Sequence, residues 1–264
     1  MNRVLTVPQL REYKRRQEKI ACLTVYDATF ARVLEKAGVE VLLVGDSLGM
    51  VIQGRETTVP VTVEQMIYHT ECVSRAAKRA LRVVDLPFAS YASPGQAVES
   101  AARLLRAGAG MVKLEGGRGR VEVVRALVAE GIPVCGHLGL LPQSIHRLGA
   151  YKVQATGPQS AQHLLEDACL LEQAGIDLLV LECIPATLAE SVSAEISVPT
   201  VGIGAGAGCD GQVLVLYDLL GLGMEEAPRF VRNFLAEVGS IEAAVAAYVQ
   251  AVKEGSFPAA EHTY

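Results

Sequence analysis

Six ionisable side chains close five successive apolar runs in this chain. Asp46 follows Val41–Gly45, Asp85 follows Leu81–Val84, and Lys113 and Glu115 end Met111–Glu115. His137 follows Pro133–Gly136, and Glu182 follows Leu178–Leu181. An unpaired charge beside buried hydrocarbon is costly, so charges placed this way compensate one another or a ligand. Asp46, Asp85 and Glu115 are hard oxygen donors with no Cys or His cluster beside them. They suit Mg²⁺ or a similar cation, with substrate and water completing the shell. A carboxylate-held ion beside Lys113 can hold a 2-oxo acid. The ion would chelate the keto oxygen and one carboxylate oxygen, and the lysine would pair with the carboxylate. Acting as a Lewis acid, the ion would stabilise the enolate formed when the neighbouring carbon loses a proton.

Lys113 and Glu115 are two residues apart, so on a strand both leave the same face. A salt bridge between them is the purely structural alternative. Glu182 ends a run of four apolar residues. An apolar setting raises a carboxylate toward neutrality, as a carbon base requires, and Glu182 is the expected proton acceptor. His137 is expected either as a hydrogen-bond donor to substrate or as an alternative base. His69 and His163 fall within expected helices and read as structural. His146 lies in a long loop and His262 in the tail.

These residues need elements that bring them to one place. Eight short apolar runs bounded by turn signals predict strands: Ile20–Val25, Val41–Asp46, Leu81–Leu86, Met111–Glu115, Pro133–Leu138, Leu178–Cys183, Pro199–Gly204 and Gln212–Tyr217. Amphipathic stretches between them predict helices over Thr29–Ala37, Val63–Ala77, Pro94–Ala107, Val121–Glu130, Ser160–Ala174 and Ala186–Glu195. Further helices are expected over Val7–Gln17, Pro228–Val238 and Ile241–Val252. Ser93-Pro94 is an expected N-cap with proline at the first helical position. Gly38, Gly108, Gly131 and Gly175 stand where helices turn back into strands. This alternation predicts parallel βα units. Eight units in 264 residues favour a closed (β/α)8 barrel over an open doubly wound sheet. A barrel carries its site at the carboxyl ends of its strands, which is where the six side chains fall. With no linker-like segment, residues 1–264 are read as one barrel domain with an N-terminal helix and C-terminal helices.

The formal charge of −5 argues against a nucleic-acid partner. The basic stretch Arg11–Lys19 reads as a solvated helix face. Six cysteines without a CxxC pair resemble neither a disulfide framework nor a zinc site. No signal peptide and no membrane-length apolar run are read, so a cytoplasmic setting without a membrane partner is expected. The glycine-rich run Val201–Gly211 meets the dinucleotide spacing only loosely and reads as a tight turn between strands seven and eight.

Several strings resemble one family. They are Val-Gly-Asp-Ser-Leu-Gly-Met at 44–50, Asp-Leu-Pro-Phe at 85–88, Val-Lys-Leu-Glu-Gly-Gly at 112–117 and Pro-Val-Cys-Gly-His-Leu-Gly at 133–139. Pro142-Gln143, Leu-Glu-Cys at 181–183 and Gly-Ile-Gly-Ala-Gly at 202–206 complete the set. Together they resemble the ketopantoate (3-methyl-2-oxobutanoate) hydroxymethyltransferases of pantothenate and coenzyme A biosynthesis, from about Thr24 to His262. The resemblance implies a barrel of the phosphoenolpyruvate/pyruvate-binding type. It implies transfer of a one-carbon unit from 5,10-methylenetetrahydrofolate to 3-methyl-2-oxobutanoate, giving 2-dehydropantoate and tetrahydrofolate. Matched position by position, Asp46, Asp85 and Glu115 take the Mg²⁺ positions, and Asp46, Ser47, Asp85 and Lys113 the oxo-acid contacts. Glu182 takes the proton-acceptor position and His137 that of a pocket histidine. A homodecamer is implied as well. Tyr217 stands where the family commonly has histidine, and Ala155-Thr156 where it has Gly-Arg. A folate-independent, metal-dependent 2-oxo acid aldolase or lyase on the same barrel is the alternative enzyme. A catalytically silent oxo-acid sensor is the alternative of another class.

Overall fold

The computed structural model describes residues 4–223 and 227–264. Eight strands form the barrel: β1 (Ile20–Thr24), β2 (Val41–Val44), β3 (Leu81–Asp85), β4 (Met111–Glu115), β5 (Val134–Gly139), β6 (Leu178–Glu182), β7 (Thr200–Ile203) and β8 (Gly211–Leu214). They pair in sequence order as a closed barrel, every pairing parallel, and β8 returns to β1 with Ile20 opposite Gly211. Closure explains the continuous apolar runs. One strand face packs into the barrel and the other against helices, so β1, β2 and β4 are buried at every residue.

The helices are α1 (Val7–Arg15), α2 (Ala28–Ala37), α3 (Leu48–Val51), α4 (Val63–Ala76), α5 (Pro94–Ala107) and α6 (Val121–Ala129). After these come α7 (Ile145–Leu148), α8 (Pro158–Ala174), α9 (Ala186–Glu195), α10 (Leu216–Leu219), α11 (Phe234–Val238) and α12 (Ile241–Glu254). Ser93 caps α5 as its sequence predicts, accepting from the Gln96 amide with Pro94 at the first turn. Gly108 ends the same helix at φ +114°, a conformation that only glycine adopts without strain.

Helix α1 closes the amino end of the barrel. Leu10 is buried, Lys14 bonds the Ser193 and Val198 carbonyls, and Arg11 pairs with Asp177. Arg15 and Arg16 pair with Glu12, so the basic stretch is the helix face its composition suggests. Helix α12 is fastened to the barrel wall by Tyr248, whose buried hydroxyl donates to the carbonyls of Cys22 on β1 and Gln212 on β8. The six cysteines are free thiols. No helix among the described residues is long and apolar enough to cross a membrane.

Four sequence expectations shift. The helix expected over Pro228–Val238 forms only from Phe234, because Asn233 caps it by accepting from the Ala236 amide. Strand eight stops at Leu214. Thr24 Oγ1 then accepts from the Leu216 amide at 2.9 Å and turns the chain into α10. Helix α8 starts two residues early, with Pro158 in its first turn. The short helices α3 and α7, within the loops after β2 and β5, escape periodicity because one turn carries no repeat.

At the carboxyl end of β5, Gly139 has φ +96°, and a Cβ there would run into the Glu182 carbonyl of the neighbouring strand. Gly139→Ala is expected to lower stability by about 2–4 kcal/mol, from left-handed strain plus overpacking. Urea unfolding followed by circular dichroism measures it, and a loss below 1 kcal/mol would contradict this close approach.

Candidate active site

Barrel register builds the site. Asp85 on β3 stands opposite Lys113 on β4, Glu115 opposite His137 on β5, and Gly139 opposite Glu182 on β6. All the predicted residues line one cavity of about 930 Å³ at the carboxyl end of the barrel. Ser47, also in its lining, hydrogen-bonds the Tyr26 hydroxyl at 2.9 Å, and that hydroxyl donates to Thr24.

Lys113 pairs with Asp85, not with Glu115: Nζ lies 2.7 Å from Asp85 Oδ1, with both side chains almost wholly buried. Burial works against the ammonium charge. Asp85, Glu115 and Asp46 outweigh that penalty and hold the Lys113 pKa above its ordinary value. The second Asp85 oxygen accepts from the Asp46 amide at 3.0 Å, which ties the turn after β2 to β3. Burial, then repulsion from Asp85 and Glu115, pushes the Asp46 carboxyl well above the usual range. Three carboxylates face one ammonium, so the cluster carries excess negative charge when ionised.

Glu115 sharpens the point. Its Oε2 accepts from the Gln143 amide at 3.1 Å, while its Oε1 is buried without a hydrogen-bond partner. An orphaned carboxylate oxygen beside two further carboxylates is the donor chemistry that a hard divalent cation relieves. Among the described residues no three acidic, His or Cys side chains converge into a ready cage. That is compatible with Mg²⁺, which keeps several waters and takes only one or two carboxylates along with its substrate.

His137 is wholly buried between two acids. Nε2 lies 3.0 Å from Glu182 Oε2 and Nδ1 lies 3.6 Å from Glu115 Oε1, and neither contact meets hydrogen-bond geometry. Burial and the Lys113 charge oppose the imidazolium, but Glu115 and Glu182 prevail and raise its pKa. The purely apolar setting expected for Glu182 is therefore interrupted by this histidine. The Glu182 side chain keeps 15% of its surface exposed to the cavity. The next residue, Cys183, has φ +47°, a left-handed turn that ends the strand directly after the acid.

Sequence reasoning gave Gln143 no role. It is a buried hub: Nε2 donates to Asp46 Oδ2 at 2.8 Å and to the Leu86 carbonyl at 2.9 Å. Its Oε1 accepts from the Tyr91 hydroxyl, and its backbone amide holds Glu115. One residue after β5 thus orients acids from β2 and β4. Pro142-Gln143 appeared only within a family motif, since a loop glutamine carries no periodic signal.

The other histidines are structural or peripheral. His69 bonds the Tyr26 carbonyl at 2.7 Å, His262 accepts from the Ala259 amide, and His146 is exposed. Tyr217 stacks on Tyr26 with centroids 6.0 Å apart, so this departure from the family pattern is a packing change. Ala155 adopts φ +54°, a left-handed conformation that glycine takes without strain.

Removing the ammonium should leave Asp85 as an unpaired buried charge. Lys113→Met is expected to lose about 3–5 kcal/mol in urea unfolding at neutral pH. A variant as stable as the wild type would mean that the pair is not compensating. Gln143→Met is expected to weaken Mn²⁺ binding about 10–100-fold, as removal of an outer-shell partner does. Titration calorimetry without substrate reads this, and unchanged affinity would remove Gln143 from the support of the acids.

Comparison with known proteins bears on family and fold. The family description "Ketopantoate hydroxymethyltransferase" matches residues 4–260. The 3-methyl-2-oxobutanoate hydroxymethyltransferase of Thiobacillus denitrificans is 58% identical over 261 residues, covering 98% of this chain and 99% of its own length. That of Marinobacter nauticus is 54% identical over 260 residues, covering 98% of each. Among solved structures, a phosphoenolpyruvate phosphomutase from Streptomyces platensis superposes with a TM-score of 0.63 at 13% identity, over 82% of this chain and 83% of that one. A phosphonopyruvate hydrolase in complex with oxalate and Mg²⁺ gives 0.62 at 11% identity, over 98% and 93%. At such identities the likeness is one of fold alone, the closed parallel (β/α)8 barrel. Matched along nearly its whole length, the chain belongs to the ketopantoate hydroxymethyltransferase family.

Proposed function

We propose that this enzyme transfers a hydroxymethyl unit from 5,10-methylenetetrahydrofolate to 3-methyl-2-oxobutanoate, releasing 2-dehydropantoate and tetrahydrofolate. The observation that carries the reading is one cavity holding a lysine–carboxylate pair, an unpartnered Glu115 oxygen and the cavity-facing Glu182. Asp46, Asp85 and Glu115 are the residues that would hold Mg²⁺. When bound, the ion supplies Lewis-acid stabilisation of negative charge on the keto oxygen. Lys113 neutralises the substrate carboxylate, and the Ser47 hydroxyl donates to it.

Glu182 removes the proton from C3. His137, between Glu182 and Glu115, steers the base by its charge. A C–C bond then forms between C3 and the folate methylene carbon, and the carbon–nitrogen bonds to the folate break. Water supplies the hydroxyl oxygen. The two folate nitrogens regain two hydrogens, one from C3 by way of Glu182 and one from that water.

The whole chain acts as one barrel unit in this reading, in the cytoplasm. A homo-oligomer of the decameric kind belongs to the same reading through the family resemblance.

Glu182→Gln is expected to slow deuterium exchange at C3 of the oxo acid about 10²–10⁴-fold, measured by NMR with Mg²⁺ and without folate. Exchange at the wild-type rate would exclude Glu182 as the base. Turnover of the wild type without methylenetetrahydrofolate would favour the aldolase or lyase alternative.

A further inference from the structure

The cavity exceeds the needs of a small oxo acid. At about 930 Å³ it is near the top of the roughly 300–1,000 Å³ range that holds drug-sized ligands. Its polar residues are unevenly placed. The acids, lysine and histidine discussed above come from the β2 to β6 side. Among the described residues the β8 side is apolar, formed by Val213 and Val215 with Phe230, and is broken by one carboxyl, Asp218.

Asp218 lies in α10, directly after β8, and β8 stands across the ring from β4. Its side chain has no hydrogen-bond or ion-pair partner among the described residues. Burial alone moves its pKa, raising it to about 6, and its carboxyl stands in a partly buried wall of the cavity. Such a group is costly unless a ligand satisfies it. The Mg²⁺ set, drawn from β2 to β4, does not include it. What it lacks is a pair of N–H donors.

The pyrimidine edge of a reduced folate offers that pair. Its 2-amino group and adjacent ring N–H point the same way and match the two oxygens of a carboxylate, the fork geometry by which arginine binds carboxylates. The reactive methylene sits on the ring system fused to this pyrimidine. The ring must therefore lie over the oxo acid, leaving its far edge toward the opposite wall. Arg55 and Lys152, exposed cations that also line the cavity, have the sign that suits the anionic tail of a folate.

We propose that Asp218 recognises the donor edge of the pyrimidine ring of methylenetetrahydrofolate, with the ring against Val213 and Val215 and the tail toward Arg55 and Lys152. The assignment rests on the folate-dependent reading above. The test measures 2-dehydropantoate formation and C3 deuterium exchange for the wild type, Asp218→Asn and Asp218→Ala. Both variants are expected to raise KM for methylenetetrahydrofolate about tenfold or more, while exchange without folate, KM for the oxo acid and thermal melting stay at wild-type values. On the wild type, a folate lacking the 2-amino group should show a comparable rise, and the variants should no longer distinguish it from the parent folate. Folate-dependent wild type with an unchanged KM in both variants overturns the assignment alone. Loss of exchange in a variant that melts normally also overturns it, by moving Asp218 to the oxo-acid side. A wild type that turns over without folate removes the parent reading and this assignment together.

Discussion

The Lys113–Asp85 pair, held almost wholly out of water at the carboxyl end of the barrel, is the interaction on which the rest of the site depends. Neither partner is tolerable there alone, since an isolated ion in so dry a place loses its hydration without replacement. The lysine keeps its proton because Asp85, Glu115 and Asp46 surround it, and the acids are tolerated together because the lysine stands among them. The second Asp85 oxygen extends the arrangement by holding the Asp46 amide. What remains is excess negative charge and one unsatisfied Glu115 oxygen, a demand for positive charge that the protein leaves unmet. A divalent cation carries the charge that would meet that demand.

Barrel architecture keeps this electrostatic load apart from the parts that carry stability. The amino end is closed by α1, and the outer wall between β1 and β8 by Tyr248 of α12, both through well-partnered contacts. The carboxyl end collects the poorly partnered groups: Glu115, both ring nitrogens of His137, and Asp218. In (β/α)8 enzymes the two ends are specialised in this way, so incomplete satisfaction at one end is a functional expense that the other end offsets.

Support for the acids comes from loops that short helices stiffen. Helix α3 follows Ser47 directly, and α7 follows Gln143 by one residue. Gln143 ties the loop after β5 to Asp46 and to the Leu86 carbonyl, so the two loops cannot move independently. Tyr151, farther along the loop after β5, donates to Met50 Sδ of α3 at 3.7 Å and joins the loops again above the cavity. In the proposed reaction such a cover limits the water that could quench a carbanion.

Much of this was legible in the linear chain. Five apolar runs ending in acid, lysine or histidine place their polar ends on one rim in any parallel barrel, because strand direction and side-chain alternation are local properties. The same locality made Ser93-Pro94 and the glycine after Ala107 readable as helix boundaries, and put Lys113 and Glu115 on one face. Which partner each charge takes was not readable. Lys113 chose Asp85 over Glu115 because parallel register sets residue 85 opposite 113, and register is decided by packing across the barrel. Gln143 and Asp218 were silent for the same reason. A loop glutamine and the aspartate of a one-turn helix carry no periodicity, and their surroundings exist only once strands distant in sequence close the ring. Sequence by itself determined the barrel and the inventory of chemical groups. Tertiary structure alone decided their pairing, because hydration and Coulomb energy depend on distances that folding creates.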